Sequence, residues 1–461
     1  MPGDASRAAE NFAPIPMECD APHLTVLGEL PRGLNGTLFR NGPNPQFPSP
    51  HGHWFMGDGM VHAFCLQDGR ASYRNRWVRT DKWRAENAAG RSLGAGFGPR
   101  REGANIANTG VANTNIVWHA GKLLALEEAH LPFELDPATL ATRGVQDFAG
   151  ALAGPFTAHP KTDPATGDLV FFGYSADGPL TPGMTFGTIG ADGRVRGVER
   201  FQAPYCAMVH DFAVTARHVL FPVMPLAGSL ARAMAGKMPF AWEPSLGGHI
   251  GLLRRDAGVA SLRWFRAEAS FAYHVLNAWD AADGRIHADV MEYAAPPFFP
   301  RADGAPVPEA DTEARLVRWT LDPAAGTDAF SRTPLDDFRG EFPRLDERFA
   351  GLENRFGAFA ASSAETFGLD TIVWRDMQRG VRRLYTLPAG DAVSEPVFVP
   401  RDARAAEGDG WLLCVVWRGE ARRSDLVVLD TSDVAAGPVA TVPLAHRVPF
   451  GFHGNWMPPA A

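Results

Sequence analysis

The feature that most constrains this chain is a short strand followed by a tight turn, recurring along its whole length. Glycine (48) and proline (38) are spread through the 461 residues rather than gathered into one linker. Between them lie short runs rich in β-branched and aromatic residues, which favour strands. Such runs are Ile116–Trp118, Leu123–Leu126, Leu169–Tyr174, His218–Phe221, Thr371–Trp374, Trp411–Trp417 and Leu426–Leu429. Many are bounded by an Asp-containing turn, at Asp136-Pro137, Asp163-Pro164, Asp322-Pro323 and Asp430-Thr431. There the carboxylate caps backbone N–H groups and proline presets φ. Long amphipathic helices do not alternate with the strands, so an all-β fold made by radial repetition of small antiparallel sheets, a β-propeller, is preferred. A paired β-sandwich or jelly roll is the alternative. The pattern predicts a single domain over residues 1–461, with 1–20 as a flexible N-terminal arm. One stretch, Leu226 to Met238, reads as a helix with Leu226, Leu230 and Met234 on one face.

Composition narrows the function. Lys plus Arg (44) against Asp plus Glu (52) leaves a net charge of −8, which argues against nucleic acid as a partner. Cys19, Cys65, Cys206 and Cys414 lie far apart with no Cys-x-x-Cys spacing, so reduced thiols in a cytoplasmic protein are expected. The N-terminal residues lack an apolar signal core, and the longest uncharged apolar stretch, Val219 to Ala231, is interrupted by Pro222 and Pro225. Neither a secretion signal nor a spanning helix is expected. No strand leads into Gly-x-Gly-x-x-Gly and a helix, so no flavin or nicotinamide site is expected. The aromatic residues are 30 Phe and 12 Trp but only 6 Tyr.

Four of the fourteen histidines sit at strand edges or in Gly- or Pro-containing turns: His159, His210, His274 and His453. Their separations of 51, 64 and 179 residues match no short metal motif. They could meet only if each came from a different structural repeat, as a propeller permits by pointing the inner strand of each blade at one axis.

The blocks around these histidines are similar to those of the carotenoid cleavage oxygenases. The resemblance covers nearly the whole chain. It runs through Leu38-Phe-Arg-Asn-Gly-Pro-Asn-Pro, Trp54-Phe-Met-Gly-Asp-Gly-Met-Val-His, Ala158-His-Pro-Lys-Thr-Asp-Pro, Val209-His-Asp-Phe, Gly340-Glu-Phe-Pro-Arg, Ser394-Glu-Pro-Val-Phe-Val and Gly451-Phe-His-Gly-Asn-Trp. It implies a seven-bladed β-propeller with a helical and loop cap over one axial non-haem Fe(II) per chain. It makes His159, His210, His274 and His453 the iron ligands, and Glu128, Glu341 and Glu395 the carboxylates behind three of them. A carboxylate that accepts the second N–H of a bound imidazole fixes its tautomer and raises its basicity. In the family the first histidine, here His159, lacks such a partner.

Four neutral ligands leave Fe(II) its full charge and two open octahedral positions. Splitting C=C with O₂ into two C=O groups places both oxygen atoms in product and needs no external reductant. No side-chain acid or base is expected to catalyse. Within the family the substrates are carotenoids or apocarotenoids, or smaller phenolic stilbenes and phenylpropenes. Relatives that bind phenols grip them with a Tyr and a Lys, and these positions fall near Phe97 and at Glu127. A carboxylate at Glu127 would oppose a phenolate, so an apolar polyene is the expected ligand and the phenolic alkene the alternative. Phe55 and Trp242 join Phe97 and Glu127 as candidate cavity residues. A polyene comes from membrane, so Leu226–Trp242 or Pro296–Pro300 could touch lipid, although both segments could equally be internal. No obligate protein partner is implied. The competing readings are a non-catalytic propeller scaffold and the isomerohydrolase chemistry of the vertebrate visual-cycle relatives.

Overall fold

A computed structural model describes residues 11–48, 52–94, 108–363 and 368–459. Among them the strands form seven sheets of four or more strands, joined almost wholly by antiparallel hairpins, and a separate two-stranded ribbon. The fold is a seven-bladed β-propeller. Every run expected as a strand is one. Leu169–Tyr174 matches its expected bounds, and Trp411–Trp417 lies inside Gly410–Arg418. The four Asp turns also form as expected, with Asp136, Asp163, Asp322 and Asp430 each accepting a backbone N–H two residues on.

The chain divides into two compact units, residues 1–127, 132–146 and 355–461, and residues 128–131 and 147–354. In the first, the C-terminal strand Gly454–Met457 pairs with Gly36–Pro43, which continues through Gly59–Gln67 and Arg70–Trp77 to Cys19–Ala21. Strands from residues 19–77 and from 454–457 thus share one sheet. The close pairing demands Gly454, because a Cβ there would sit 2.5 Å from the Phe39 carbonyl oxygen. Residues 11–20, expected in a flexible arm, are held in place. Ile15 and Asn44 exchange two hydrogen bonds (2.7 and 2.9 Å), the Asn11 side chain donates to the Val448 carbonyl, and Cys19–Ala21 is a strand.

In the second unit three four-stranded sheets follow one another, spanning Lys161–Gln202, Ala213–Ala267 and Phe271–Pro334. Phe172, Phe212 and Phe221 are fully buried in the core where the first two sheets pack.

The expected helix from Leu226 to Met238 is mostly absent. Leu226–Gly228 and Phe240–Trp242 pair as a ribbon, and only Leu230–Met234 at its tip is helical. Leu226 is buried, whereas Leu230 and Met234 are 54 % and 81 % exposed, so the three do not share an inward face. The i, i+4 spacing was real, but Gly228 and Ser229 break the run: Ser229 is extended and caps the short helix by accepting the Arg232 N–H.

Candidate metal centre

Three of the histidines meet within the second unit. His159 stands just before Lys161–Thr162, His210 just before Ala213–Val214, and His274 within Phe271–Asp280. His210 Nε2 lies 3.0 Å from His159 Nε2 and 3.2 Å from His274 Nε2. All three are largely buried.

The carboxylates behind them fix which ring nitrogen carries hydrogen. His210 Nδ1 is hydrogen-bonded to Glu128 Oε1, and His274 Nδ1 to Glu341 Oε2. A carboxylate only accepts, so a neutral imidazole at either position carries its hydrogen on Nδ1 and presents a bare lone pair at Nε2. Two such lone pairs 3.2 Å apart repel unless a cation lies between them. A metal bound at about 2.1 Å by imidazole would space two ligands at right angles by about 3.0 Å. The donor set and its spacing therefore fit a metal ion.

Two tyrosines complete these supports. Tyr174 donates to Glu128 Oε2 (2.6 Å) and Tyr293 to Glu341 Oε1 (2.7 Å). Tyr273 packs edge-on against His210 and Tyr293, with its hydroxyl bonded to the Pro297 carbonyl. Half of the chain's six tyrosines are thus gathered here. Burial, and then the nearby Glu128 and Glu341 carboxylates, raise the Tyr273 phenol well above its ordinary pKa, and burial with Glu341 does the same to Tyr293. Both remain neutral donors. Burial alone would raise Glu341, but His274, the Phe342 N–H and the Tyr293 hydroxyl outweigh it and hold the carboxyl below its ordinary value. Phe342 adopts φ 56°, a left-handed conformation unusual for a bulky residue, and its ring stacks on His274. Its N–H donates to Glu341 at 2.6 Å.

In the first unit His453 is buried, with Nδ1 2.9 Å from Glu395 Oε1, while Glu395 Oε2 accepts the Gly454 N–H at 2.8 Å. Within the second unit the ring nitrogens of His159, His210 and His274 form a group that fits a metal ion.

A family model described as Retinal pigment epithelial membrane protein matches residues 12–458. The chain belongs to this family, the carotenoid cleavage oxygenases. It is 42 % identical to an isoeugenol monooxygenase of Pseudomonas nitroreducens, over 96 % of each chain. It is 36 % identical to lignostilbene-alpha,beta-dioxygenase isozyme III of Sphingomonas paucimobilis, over 98 % of this chain and 97 % of that one. Among solved structures, Pseudomonas brassicacearum lignostilbene dioxygenase matches with a TM-score of 0.93 and 36 % identity over 97 % of both chains. Cobalt-substituted Synechocystis ACO matches at 0.89 and 30 %, over 97 % of this chain and 98 % of that one. The chain is thus an oxygenase of this family.

The expected cavity residues are not all brought together. Phe55 is half-buried and packs its ring edge-on against Phe452, next to His453. Glu127 is half-buried directly after the strand Lys122–Leu126. Trp242 is buried in the ribbon, its main-chain N–H donating to the Pro300 carbonyl at 2.8 Å, so the two segments expected near lipid adjoin each other. Phe97 lies outside the described residues. No helix among the described residues is long and apolar enough to cross a membrane. Tyr174, Tyr293 and Phe342 were not foreseen. Tyr174 and Phe342 lay in blocks already singled out, as the last residue of Leu169–Tyr174 and the residue after Glu341, and Tyr293 lay in none.

Proposed function

We propose that this protein is a non-haem iron oxygenase that uses O₂ to split an alkene conjugated to an aromatic ring, of the phenylpropene or stilbene kind, into two carbonyl products. His159, His210, His274 and His453 are the ligands of one Fe(II) per chain. Glu128, Glu341 and Glu395 hold the tautomers of the last three. The observation that carries the reading is the approach of His210 Nε2 and His274 Nε2 to 3.2 Å, with each ring bonded through Nδ1 to a carboxylate. Two relatives named isoeugenol monooxygenase, 42 % and 41 % identical, support the substrate class.

Iron held here supplies the binding and activation of O₂. The chain's own residues fix the imidazoles, position the alkene and exclude water. Because both oxygen atoms of O₂ end in carbonyl groups, the reaction needs neither a reductant nor a flavin or nicotinamide.

A second reading, cleavage of a carotenoid or apocarotenoid, is favoured by Glu127. Its carboxylate, next to Glu128 in the chain, would repel a phenolate and leave a neutral polyene unaffected. Under that reading the exposed Leu230 and Met234 are the side chains offered to a lipid surface. Cytoplasmic residence is proposed with either.

The test is incubation of iron-loaded protein in air with isoeugenol, resveratrol and an apocarotenal, with products separated by chromatography. Aldehydes from the aryl alkenes are expected. Cleavage of the apocarotenal alone transfers the assignment to the polyene, and no cleavage of any of them contradicts both. Retention of ¹⁸O₂ label in the aldehydes distinguishes oxidative cleavage from isomerohydrolase chemistry.

A further inference from the structure

Beyond the imidazoles and their carboxylates, the three histidine segments of the second unit converge on one more side chain. Asp211 directly follows His210 and is 3 % exposed. Its Oδ2 accepts the N–H of Val275, the residue after His274, at 2.9 Å. Its Oδ1 meets the ammonium of Lys161, two residues after His159, at 2.7 Å, and also accepts the Phe212 N–H at 2.8 Å. One buried carboxylate thus touches residues adjoining all three histidines.

The backbone at Val275 is shaped for this contact. The pairing of Phe271–Asp280 with Ile286–Tyr293 shifts register on both sides of Val275. Such an irregularity takes a residue out of the ladder and re-aims its neighbours. The Val275 N–H goes to Asp211, while His274 turns its ring toward His210. A lysine facing a buried carboxylate two residues beyond His159 balances the charge that burial would otherwise penalise.

We infer that Asp211, with Lys161 as its counter-ion, is a positioning residue that sets the mutual spacing of His159, His210 and His274 and so the tightness and geometry with which the metal is held. This rests on the metal reading above, and it concerns residues that touch neither metal nor substrate. A carboxylate that merely stabilised the fold would change thermal stability and leave the metal's environment alone.

The test uses the full chain loaded with Fe(II), following release of iron to excess ferrozine, and the same chain loaded with Co(II), whose visible absorption reports ligand geometry. Asp211→Asn is expected to release iron about 10-fold faster or more, the range for residues that orient metal ligands, and to shift the Co(II) bands. Lys161→Met should change both in the same direction by a smaller factor, and because Lys161 is partly exposed it carries the test if Asp211→Asn does not fold. Adding Lys161→Glu to Asp211→Asn lets the new amide donate to a carboxylate and should return much of the release rate and the spectrum. Unchanged release and spectrum in both single variants, with only a lowered melting temperature, would overturn the proposal. A wild-type chain that takes up neither Fe(II) nor Co(II) would overturn the metal reading and this inference with it. Normal uptake with unaltered variants would overturn this inference alone.

Discussion

The two units support their histidines by different means. In the second, Glu128 and Glu341 each give one oxygen to an imidazole and the other to a phenol, Tyr174 or Tyr293. In the first, Glu395 gives one oxygen to His453 and the other to the main-chain N–H of Gly454. It also lies in the field of Arg40, a fully buried guanidinium that burial brings down to about 10 against the opposing pull of Glu395. The first kind of support ends on a phenol that substitution can remove, with the Phe342 N–H an added donor to Glu341. The other is built into a backbone that Gly454 alone can follow. The difference teaches that equivalent imidazole–carboxylate pairs can differ in how far a single mutation loosens them.

The largest expected effect is the same in both units. His274→Ala and His453→Ala should each lower iron occupancy and product formation by more than about 100-fold, beyond the range for outer partners. Iron assay and product chromatography on each variant check this. A variant retaining full iron removes that histidine from the set.

Next come the carboxylates. Glu341→Gln and Glu395→Gln should each speed iron release about 10- to 100-fold, measured with a chromogenic chelator. Near-wild-type release in either would show that its partner oxygen, not its charge, orients the imidazole.

The phenols separate the units. Tyr174→Phe and Tyr293→Phe remove one hydrogen bond to a charged acceptor and should speed release about 3- to 10-fold. In the first unit Tyr73→Phe removes a buried bond to His62 (2.7 Å) and should lower the melting temperature without touching release. Equal effects of Tyr73→Phe and Tyr293→Phe on release would erase the contrast.

The smallest effect comes from a histidine–carboxylate pair outside the cluster. His218 Nδ1 is bonded to Asp280, whose other oxygen accepts the Thr215 hydroxyl and the Arg217 N–H. Burial raises the Asp280 carboxyl, but His218, Thr215 and Arg217 outweigh it and leave its pKa below the ordinary value. A depressed folded pKa stabilises above the unfolded value of about 3.9, and the contribution is lost as pH falls through the folded one. Calorimetry should therefore find Asp280→Asn less stable than wild type at pH 6, with the gap closing below about pH 4, and with iron content unchanged. A gap independent of pH would remove the charge from that account.

The histidines and glutamates were legible because each lies in a short block whose neighbours resemble a known family. The Asp turns were legible from chemistry alone, since a carboxylate two residues before an N–H caps it wherever the turn occurs. Tyr174 and Tyr293 were not, because nothing local marks a strand-end tyrosine as facing a carboxylate from a distant segment. Lys161 and Asp211 lay inside the quoted blocks around His159 and His210. Their pairing, and the Val275 N–H that Asp211 also accepts, bring together segments far apart in sequence and show only in the folded chain. The helix expected over Leu226–Met238 was over-read, with only Leu230–Met234 helical, because apolar residues four apart also occur where a strand runs into a ribbon tip.

The account depends first on iron held by imidazole. Metal analysis of the full chain, purified without chelator and supplied with Fe(II), should find about one iron per chain, as the single site proposed for the four histidines requires, and should find almost none in His210→Ala. Less than about half an equivalent in the wild type, or the same content in both, would contradict it.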